Sequence, residues 1–455
     1  MPGPAFDIGR EAVCFVDPQA ANSFGTAATD YPVAADAVRI RTVKVSGGSP
    51  FEFRADRYGT SNKVGKIDQK RTGSASLDAY LMPSGVAGTA PDIADLLLSG
   101  GWQAKTATTS SVLGAGATTT VIPVQVGAAV NIAVGSCVLI SGEARRVTAR
   151  DTVADTITVS PALSVAPANA VAVTGGIGYI PKDARADAQD AITVWGGNNR
   201  SMDRLIGWLP QKFAFTLGGD TAAGIVVDGP GRRRDRLVAT QLDGAILLAA
   251  TSATVDFGGC APSDLPTYWQ IEAEIVRVTA VVGNVWTIVR AQLATAAADH
   301  AHNSEVYPYA PAGTYAGSPL PATSGDLIVN GVGLESTGQT TLEVDMGVET
   351  WEDDHGDAYK VHAFTPGPHS VKFSSTGFAR WSDRLVAALR AASRTAVEAF
   401  VQQGSTSGAI FACACPTIRF SEPEIDRGQE KITVELSGEA EGTTAGEDDV
   451  WLGFV

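Results

Sequence analysis

The side chains of this sequence that could bind a metal or take part in catalysis include a pair of cysteines and a group of histidines. Cys413 and Cys415 are separated by one residue, whereas most zinc-binding pairs have a wider spacing, and no second pair accompanies them. The alternating pattern around them predicts two buried thiols on one face of a strand. The five cysteines are scattered and odd in number, so they predict no disulfide framework. His300 and His302 are predicted to lie in a polar turn.

The densest group of carboxylates is the segment 351–357, in which four acidic residues surround His355. Such a cluster could hold calcium or supply an acid and a base, but it lacks the ordered ligand alternation of an EF-hand loop. Acidic residues beside glycine are typical of a solvated turn, which we predict here. The sequence also lacks a nucleophile elbow, a Walker loop and a His-Glu-x-x-His motif. We therefore expect no catalytic, metal-binding or cofactor-binding residues, and no enzyme.

A second charged segment is basic and follows Gly229-Pro230-Gly231. Its arginines could contact phosphate, but no aromatic residues are interleaved with them. We predict an interface turn that is solvated or paired with an acidic neighbouring subunit. The residues of this turn are Arg232, Arg233 and Arg234.

The elements that must position these residues are predicted to be strands. The chain has 455 residues, and its 49 glycines and 23 prolines favour turn-rich β structure over a helical bundle. The net charge of −15 argues against a surface that grips nucleic acid or anionic lipid. The sequence starts without a basic and apolar leader, and no apolar run has the length of a membrane span. We expect a non-secreted chain without membrane insertion.

Two segments resemble each other and predict a repeated small β module. Residues 138–149 and 271–280 have the same apolar alternation, and each precedes a strand, an Ala-rich loop and a final strand. We place the modules at 110–182 and 245–312. The rest is predicted to form one discontinuous core domain, since insertions are tolerated at exposed loop tips. Its segments are 1–109, 183–244 and 313–455.

Only two helices are expected in the core domain. A short one covers 91–98, with Pro91 in its first turn and Gly100 after its end. A longer one covers 383–400, because Ser382 can cap it and apolar residues recur at spacings of three to four residues.

Three motifs occur in order outside the two modules. The first covers 70–92 and contains Tyr80-Leu81-Met82-Pro83-Ser84-Gly85, the second covers 200–220, and the third combines 411–424 with 448–454. Together they resemble the tail tube (major tail) proteins of long-tailed bacteriophages. The resemblance implies a mainly β fold, a tail-tube-type sandwich or barrel with one flanking helix. To this core the chain would add the two inserted β modules.

The resemblance also implies a function. The chain would be a structural virion protein whose strands join those of neighbouring copies in hexameric rings, and the rings would stack into the tail tube that delivers the genome. Its partners would be itself, the tape-measure protein and the tail terminator and initiator proteins, with DNA passing transiently through the lumen. It would be made in the bacterial host cytoplasm and reside in the virion tail.

The polar segment 54–71 is predicted to be an extended hairpin or loop that reaches a neighbouring ring, because it is long, charged and punctuated by glycine. The two modules are expected on the outer surface. The candidate inter-ring and inter-subunit contacts are Arg54, Arg57, Tyr58, Lys63, Lys66, Lys70 and Arg71.

Two other function classes stay open at this point. A tail-surface adhesin would use the modules to bind carbohydrate or a receptor. A hydrolase would use Glu352, Asp353 or Asp357 as carboxylates beside exposed aromatics such as Trp351 or Trp381.

Overall fold

The computed structural model describes most of the chain, and the described residues are almost entirely strands and their turns. Strands account for 56% and helices for 4% of the structure, so the predicted mainly β class is confirmed. No helix in the described residues is long and apolar enough to cross a membrane. These residues are 13–19, 24, 30–48, 51–53, 66–114, 116–182, 190–198, 200–219, 221–261, 265–322, 325–334, 338–352, 358–378, 395–421, 424–426, 433–442 and 449–455.

The first half of the described chain contains eighteen strands and the α-helix α1 (Ala94–Ser99). The strands up to the first module are β1 (Val13–Pro18), β2 (Ile40–Gly48), β3 (Phe51–Phe53), β4 (Lys66–Asp68), β5 (Thr72–Tyr80) and β6 (Trp102–Thr106). Those of the first module are β7 (Ser110–Ser111), β8 (Val121–Pro123), β9 (Cys137–Ile140), β10 (Glu143–Asp151), β11 (Thr156–Ser160) and β12 (Ala172–Gly175). Those between the modules are β13 (Ile177–Pro181), β14 (Ile192–Gly197), β15 (Ser201–Trp208), β16 (Lys212–Leu217), β17 (Gly224–Gly231) and β18 (Arg233–Val238).

The second half continues with strands alone, apart from short 3₁₀ turns. The strands of the second module are β19 (Thr240–Gln241), β20 (Ser252–Thr254), β21 (Thr267–Ile271), β22 (Glu274–Val282), β23 (Val285–Val289) and β24 (Glu305–Pro308). The later strands are β25 (Gly325–Val329), β26 (Val332–Leu334), β27 (Thr340–Asp345), β28 (Val348–Glu352), β29 (Val361–Pro366), β30 (Ser370–Phe378), β31 (Val397–Thr406), β32 (Ala409–Phe420), β33 (Glu424–Asp426), β34 (Thr433–Ala440) and β35 (Trp451–Phe454). The 3₁₀ turns of the whole described chain are Ala34–Asp36, Ala129–Asn131 and Gly258–Cys260.

One 15-stranded sheet organises the core domain. Its main path runs β2-β5-β17-β16-β27-β30-β34-β32-β31-β25-β26, and β35, β13 and β6 branch from β32. The strands form because apolar residues alternate with polar ones, as in β16, where Phe213, Phe215 and Leu217 are buried. The apolar residues of 213–217 and 225–227 on either side of Gly218-Gly219-Asp220 predict a hairpin, and the antiparallel pairing of β16 and β17 confirms it.

A second, four-stranded sheet with the order β1-β14-β15-β18 packs on one end of the large sheet. The two sheets approach closely at two glycines of the large sheet. A Cβ atom built on Gly73 or Gly231 would lie 2.6 or 2.8 Å from a methyl carbon of Leu205. Glycine is therefore required here for sheet-to-sheet contact. Residues of both sheets, among them Leu205 and Phe215, belong to one hydrophobic core.

The two modules have the same strand order. The first sheet is β7-β12-β9-β10-β11-β8 and the second is β19-β24-β21-β22-β23-β20, which is the same relative order in both. In each, a bridge joins the first and second strands, Val112 to Val124 and Leu242 to Val255. Each sheet therefore closes on itself as a small six-stranded barrel, named barrel 1 (110–175) and barrel 2 (240–308) below.

Two boundaries of these barrels differ from the sequence-based ones. The strand β13 lies inside the predicted module 110–182, but it pairs with β6 and β35 of the large sheet. At the other module, β19 begins before the predicted start at 245 and already pairs with β24. Alternation alone cannot distinguish the last strand of a module from the next strand of the core, because both have the same period.

The two helix predictions have different outcomes. The short helix is present as α1, and the backbone N–H of Gly100 donates to the carbonyl of Leu96 at its end. Residues 383–394 of the longer predicted helix lie outside the described residues. Its last residues are not helical, because β31 begins at Val397 and Phe400 pairs with Ala414 of β32. Pairing with buried neighbours on both sides has overridden the helical spacing there.

Candidate functional site

The acidic segment is placed only in part by the structure. Glu352, at the end of β28, lies 2.9 Å from the Lys360 ammonium in a partly exposed ion pair. Trp351 is 58% exposed and donates its indole N–H to the Thr365 hydroxyl at 2.5 Å. Residues 353–357 and Trp381 lie outside the described residues. Within the described chain, no group of three or more His, Cys, Asp or Glu side chains is arranged to hold a metal ion.

The cysteine pair lies in the core, as the sequence predicts. Cys413 and Cys415 are on β32 and are each 1% exposed, within the main hydrophobic core. Burial raises the pKa of the Cys413 thiol to about 12 and that of Cys415 well above its ordinary value. A protonated, buried thiol is a poor nucleophile and a poor metal ligand, so these residues serve packing.

The basic run is not a turn, which corrects the sequence-based interpretation. Arg233 and Arg234 lie in β18, opposite Ile206 and Leu205 of β15. Arg232 directly precedes this strand, and its guanidinium carbon lies 5.3 Å from the centre of the Tyr359 ring. Gly229-Pro230-Gly231 does not form a turn either, because β17 continues through it and pairs with β5.

The acidic partners of this run come from the same chain. The Arg233 guanidinium lies 3.1 Å from Asp235, and Arg234 and Arg236 lie 2.9 and 3.0 Å from Asp203. Asp235 also pairs at 2.8 Å with Arg204, and both side chains are almost fully buried. The pairs of Asp203 with Arg234 and Arg236 and the pair of Asp235 with Arg204 are cross-strand and hold β15 against β18. These ion pairs lie within the subunit, and the Arg236 side chain stays 56% exposed.

The predicted contact segment 54–71 is bounded by a short hairpin. β3 pairs antiparallel with β4, so that Phe53 is opposite Lys66. Arg54, Arg57, Tyr58 and Lys63 lie outside the described residues, and of Lys66 only the backbone is described. Lys70 precedes β5 and is half-buried. Arg71 is anchored through its backbone, since its N–H donates to Ala358 at 3.0 Å and its carbonyl accepts from Lys360 at 2.8 Å.

The main path of the large sheet ends in two strands that pair on one side only, and its branches end in two more, β6 and β33. Among the described residues, β2 pairs only with β5, and β26 pairs only with β25. β2 is nine residues long and has Arg41, Thr42 and Lys44 exposed. An unpaired edge presents a row of backbone donors and acceptors to another strand. Because the two edges differ, their association would be head-to-tail, which is the geometry that generates rings or filaments.

The hairpin of β25 and β26 determines which backbone groups of β26 face the open side of the sheet. The strands β25 and β26 are joined by Asn330 and Gly331, which have φ values of 51° and 72°. In such a two-residue hairpin the pair next to the turn, Val329 and Val332, exchanges the ladder hydrogen bonds. The following pair does not, so the N–H and C=O of Gly333 point to the open side. Open space also surrounds the Cα of Gly333, since a Cβ there would meet nothing within 4 Å.

Barrel 1 is seated on the large sheet by an apolar interface. Cys137 and Leu139 of the barrel share a buried cluster with Phe400 and Trp451 of the core domain. The Trp451 indole N–H donates to the carbonyl of Gly135 at 2.7 Å. Apolar burial with a satisfied polar group is typical of a fixed domain contact.

The side chain of Gln402 adds polar contacts to this interface. Its amide oxygen accepts from the N–H of Ala144 at 2.8 Å. Its amide nitrogen donates to the carbonyls of Gly142 and Gly404 at 3.0 Å each. One buried side chain of the large sheet thus satisfies backbone groups of barrel 1 and of its own strand.

Barrel 2 is attached by mainly polar contacts, together with one buried leucine of β18, Leu237, that packs into the apolar core of the barrel. Arg277 lies 3.7 Å from Asp30, and both side chains are partly exposed. The rings of Tyr31 and Tyr268 lie 4.7 Å apart. Exposed ion pairs contribute little free energy, so barrel 2 is held less firmly than barrel 1.

Barrel 2 contains a buried charge cluster that the sequence analysis missed. Glu274 begins β22 after the turn at Glu272, and its two carboxylate oxygens each lie 2.6 Å from the Arg290 guanidinium. The His300 ring, predicted to lie in a polar turn, is buried 2.9 Å from Glu274 and 3.2 Å from Glu272. Burial alone would raise the pKa of Glu274, but donors from Arg290, Ala291, His300 and Ala298 lower it to about 2.

Neither a protein-family model nor a curated protein matches the chain.

Proposed function

We propose that this chain is the subunit of a phage tail tube, in which copies join through sheet edges into hexameric rings that stack into a genome conduit. The observation that carries the proposal is the long sheet whose main path ends in two different edge strands, β2 and β26. Edges of this kind are normally shortened, covered or charged to prevent association. β26 has only three residues, but β2 extends over nine residues with two cations, Arg41 and Lys44, and this length supports a designed contact at β2.

The family motifs support the same proposal through their positions. The segment 70–92 contains β5, the segment 200–220 contains β15 and β16, and the segment 411–424 covers most of β32. Of these strands, β5, β16 and β32 belong to the large sheet and β15 belongs to the four-stranded sheet. Each motif therefore contributes a strand to the sheet that would form the ring wall. The hexameric number and the stacking follow from the resemblance alone.

Charge is consistent with a conduit. The net charge of −15 disfavours adhesion of DNA, and the strongest basic run is already paired with Asp203 and Asp235. A tube through which DNA slides requires a surface that does not hold phosphates.

Negative-stain electron microscopy of the purified chain across a concentration series tests this proposal. We expect rings or hollow tubes at high concentration. Deletion of residues 59–65 should leave monomers or single rings without tubes, because this segment is proposed to reach the next ring. Deletion of residues 152–154, an exposed hairpin tip of barrel 1, is the matched control and should leave tubes intact. Monomers or trimers at every concentration, even with a preformed tail initiator complex, would contradict the proposal.

A further inference from the structure

The far end of barrel 2 presents two large apolar side chains to solvent. Leu247 and Leu248 are 68% and 58% exposed in the loop 244–250, which joins β19 to β20. The chain enters the barrel at Thr240 and leaves it at Pro308, both at the opposite end, because β19 and β24 are antiparallel. The leucines therefore point away from the core domain, and no described contact of the subunit covers them.

This loop is held rigidly in spite of its exposure. The Arg290 guanidinium donates to the carbonyl of Leu247 at 2.8 Å, and the N–H of Leu248 donates to the Asp299 carboxylate at 2.6 Å. Ile246 and His300 exchange two backbone hydrogen bonds of 3.0 and 2.9 Å. Because its backbone is tied at three consecutive residues, the loop loses little conformational entropy when a partner binds.

The buried cluster beneath the loop supplies these ties. Arg290 and Glu274 are 9% and 0% exposed, and both must lose their hydration to occupy this place. A well-packed apolar core of the same volume would be at least as stable as such a pair. The ion pair holds the Arg290 guanidinium in a fixed position. Its N–H groups also donate to the carbonyls of Leu247 and Ala298. The cluster thus preorganises the exposed loop.

Barrel 1 shows that the fold does not require this arrangement. Its corresponding loop, between β7 and β8, is composed of glycine, alanine and threonine after Leu113. The residue that corresponds to Glu274 is Glu143, which contacts Arg145 and Ser164. Neither contact ties the loop between β7 and β8. The leucines and their support are therefore additions specific to barrel 2.

The surroundings of the leucines define the chemistry of a partner. Leu247 borders an open cleft of about 470 Å³ lined mainly by small apolar residues, including Ala245, Ala249 and Ala250, and Leu248 is its neighbour in the same loop. The exposed charged groups at this end are Asp243, Glu272 and Asp299. The arginines of barrel 2 are engaged elsewhere, Arg277 with Asp30 and Arg290 with Glu274. The surface is apolar at its centre and acidic at its rim, so anionic lipid and nucleic acid are repelled from it.

We propose that the loop 244–250 of barrel 2 is a docking site for a protein surface that presents apolar side chains flanked by lysine or arginine. The apolar side chains enter the cleft beside Leu247 and Leu248, and the cations pair with the carboxylates of the rim. This proposal does not depend on assembly into rings.

Fluorescence anisotropy with a defined probe tests the site in the full-length chain. The probe is a labelled 12-residue peptide of alternating leucine and lysine, and its counterpart carries glutamate in place of lysine. We expect the lysine peptide to bind and the glutamate peptide not to bind. The double variant L247S/L248S should weaken binding by at least about tenfold, as expected when the central apolar contacts of an interface are removed. V126S removes a still more exposed valine of barrel 1 and should have no effect.

A second variant tests the support of the loop. R290K keeps the charge but loses the forked donor set, so binding should weaken and hydrogen exchange within 246–250 should accelerate while both leucines remain. Equal binding by L247S/L248S and the parent chain, or equal binding of both peptides, would overturn the proposal. Binding of the loop to phosphatidylglycerol vesicles would overturn the choice of a protein partner. Self-association that is lost in L247S/L248S would instead identify a second copy as the occupant.

Discussion

Barrel 1 and barrel 2 have the same strand order, but they use their corresponding glutamates in opposite ways. In barrel 1, Glu143 is partly exposed, and the arginine beside it, Arg145, stacks on Phe400 of the large sheet. In barrel 2, Glu274 is completely buried and organises a loop that faces away from the core domain. One module has thus been adapted for attachment to its own subunit and the other for presentation of a surface. Because the strand framework is the same in both modules, their polar residues determine what each module contacts.

The largest expected effect concerns the buried glutamate. E274A leaves the Arg290 guanidinium buried without its carboxylate, which should destabilise barrel 2 by about 3–5 kcal/mol. The equivalent change E143A should cost less, because Glu143 is 23% exposed, whereas Glu274 is fully buried and also accepts from the N–H groups of Ala291 and Ala298. Hydrogen exchange measured separately in 137–175 and 267–308 distinguishes the two. Equal losses of protection in both barrels would remove the proposed difference between them.

Acid should destabilise barrel 2 over a pH interval that Glu274 sets. The folded-state pKa of Glu274 is about 2, below its ordinary value of 4.5. The carboxylate therefore contributes its stabilisation fully above pH 4.5, and this contribution is lost as the pH falls through about 2. Exchange protection of 267–308 should decline over this interval in the parent chain, and E274Q should abolish that part of the pH dependence. An unchanged acid profile in E274Q would show that another group is responsible.

The free energy that attaches each barrel to the core domain should depend on a different side chain. Q402A removes the side chain that bonds the Ala144 N–H and the Gly142 carbonyl, which should cost about 1–3 kcal/mol because buried groups lose their partner. R277A removes only the exposed pair with Asp30 and should cost less than about 1 kcal/mol. Denaturant unfolding gives both values. Limited proteolysis should cut near 107 and 176 sooner in Q402A, and equal cleavage in both variants would contradict the firmer seating of barrel 1.

The smallest expected loss of stability should be equal in the two barrels. Each has a register shift in its central hairpin, between Val147 and Ala149 and between Val278 and Ala280. The threonine within each shift donates to a strand carbonyl, Thr148 at 3.2 Å and Thr279 at 3.3 Å. T148V and T279V should each cost about 0.5–1 kcal/mol, the net contribution of one hydrogen bond. Clearly unequal costs in denaturant unfolding would argue against a shared framework.

Local patterns were sufficient to predict much of the framework. The change of apolar phase from Ile40 to Val43 indicates a bulge, and the structure has a register shift between Ile40 and Thr42. The repeated alternation also identifies two similar modules. These features are local in sequence, so the residues of one strand and the next are sufficient to predict them.

The sites depend on residues that are distant in sequence, and the patterns miss them. Glu274, Arg290 and His300 come from a strand, the end of the next strand and a loop, and only the closed barrel brings them together. The pairing of Arg234 with Asp203 was missed for the same reason, since β15 and β18 are separated by a hairpin of the other sheet. A basic run beside glycine is typical of a turn when its partners cannot be seen.

Sedimentation velocity and electron microscopy of G333P and G333A test the central claim, that copies join through the edges of the large sheet. Proline at this position removes the N–H that points to the open side but no ladder hydrogen bond, and alanine keeps it. We expect the parent chain and G333A to form rings. G333P should give only dissociated subunits with unchanged β content. Rings of G333P at the concentration at which the parent chain assembles would contradict this claim.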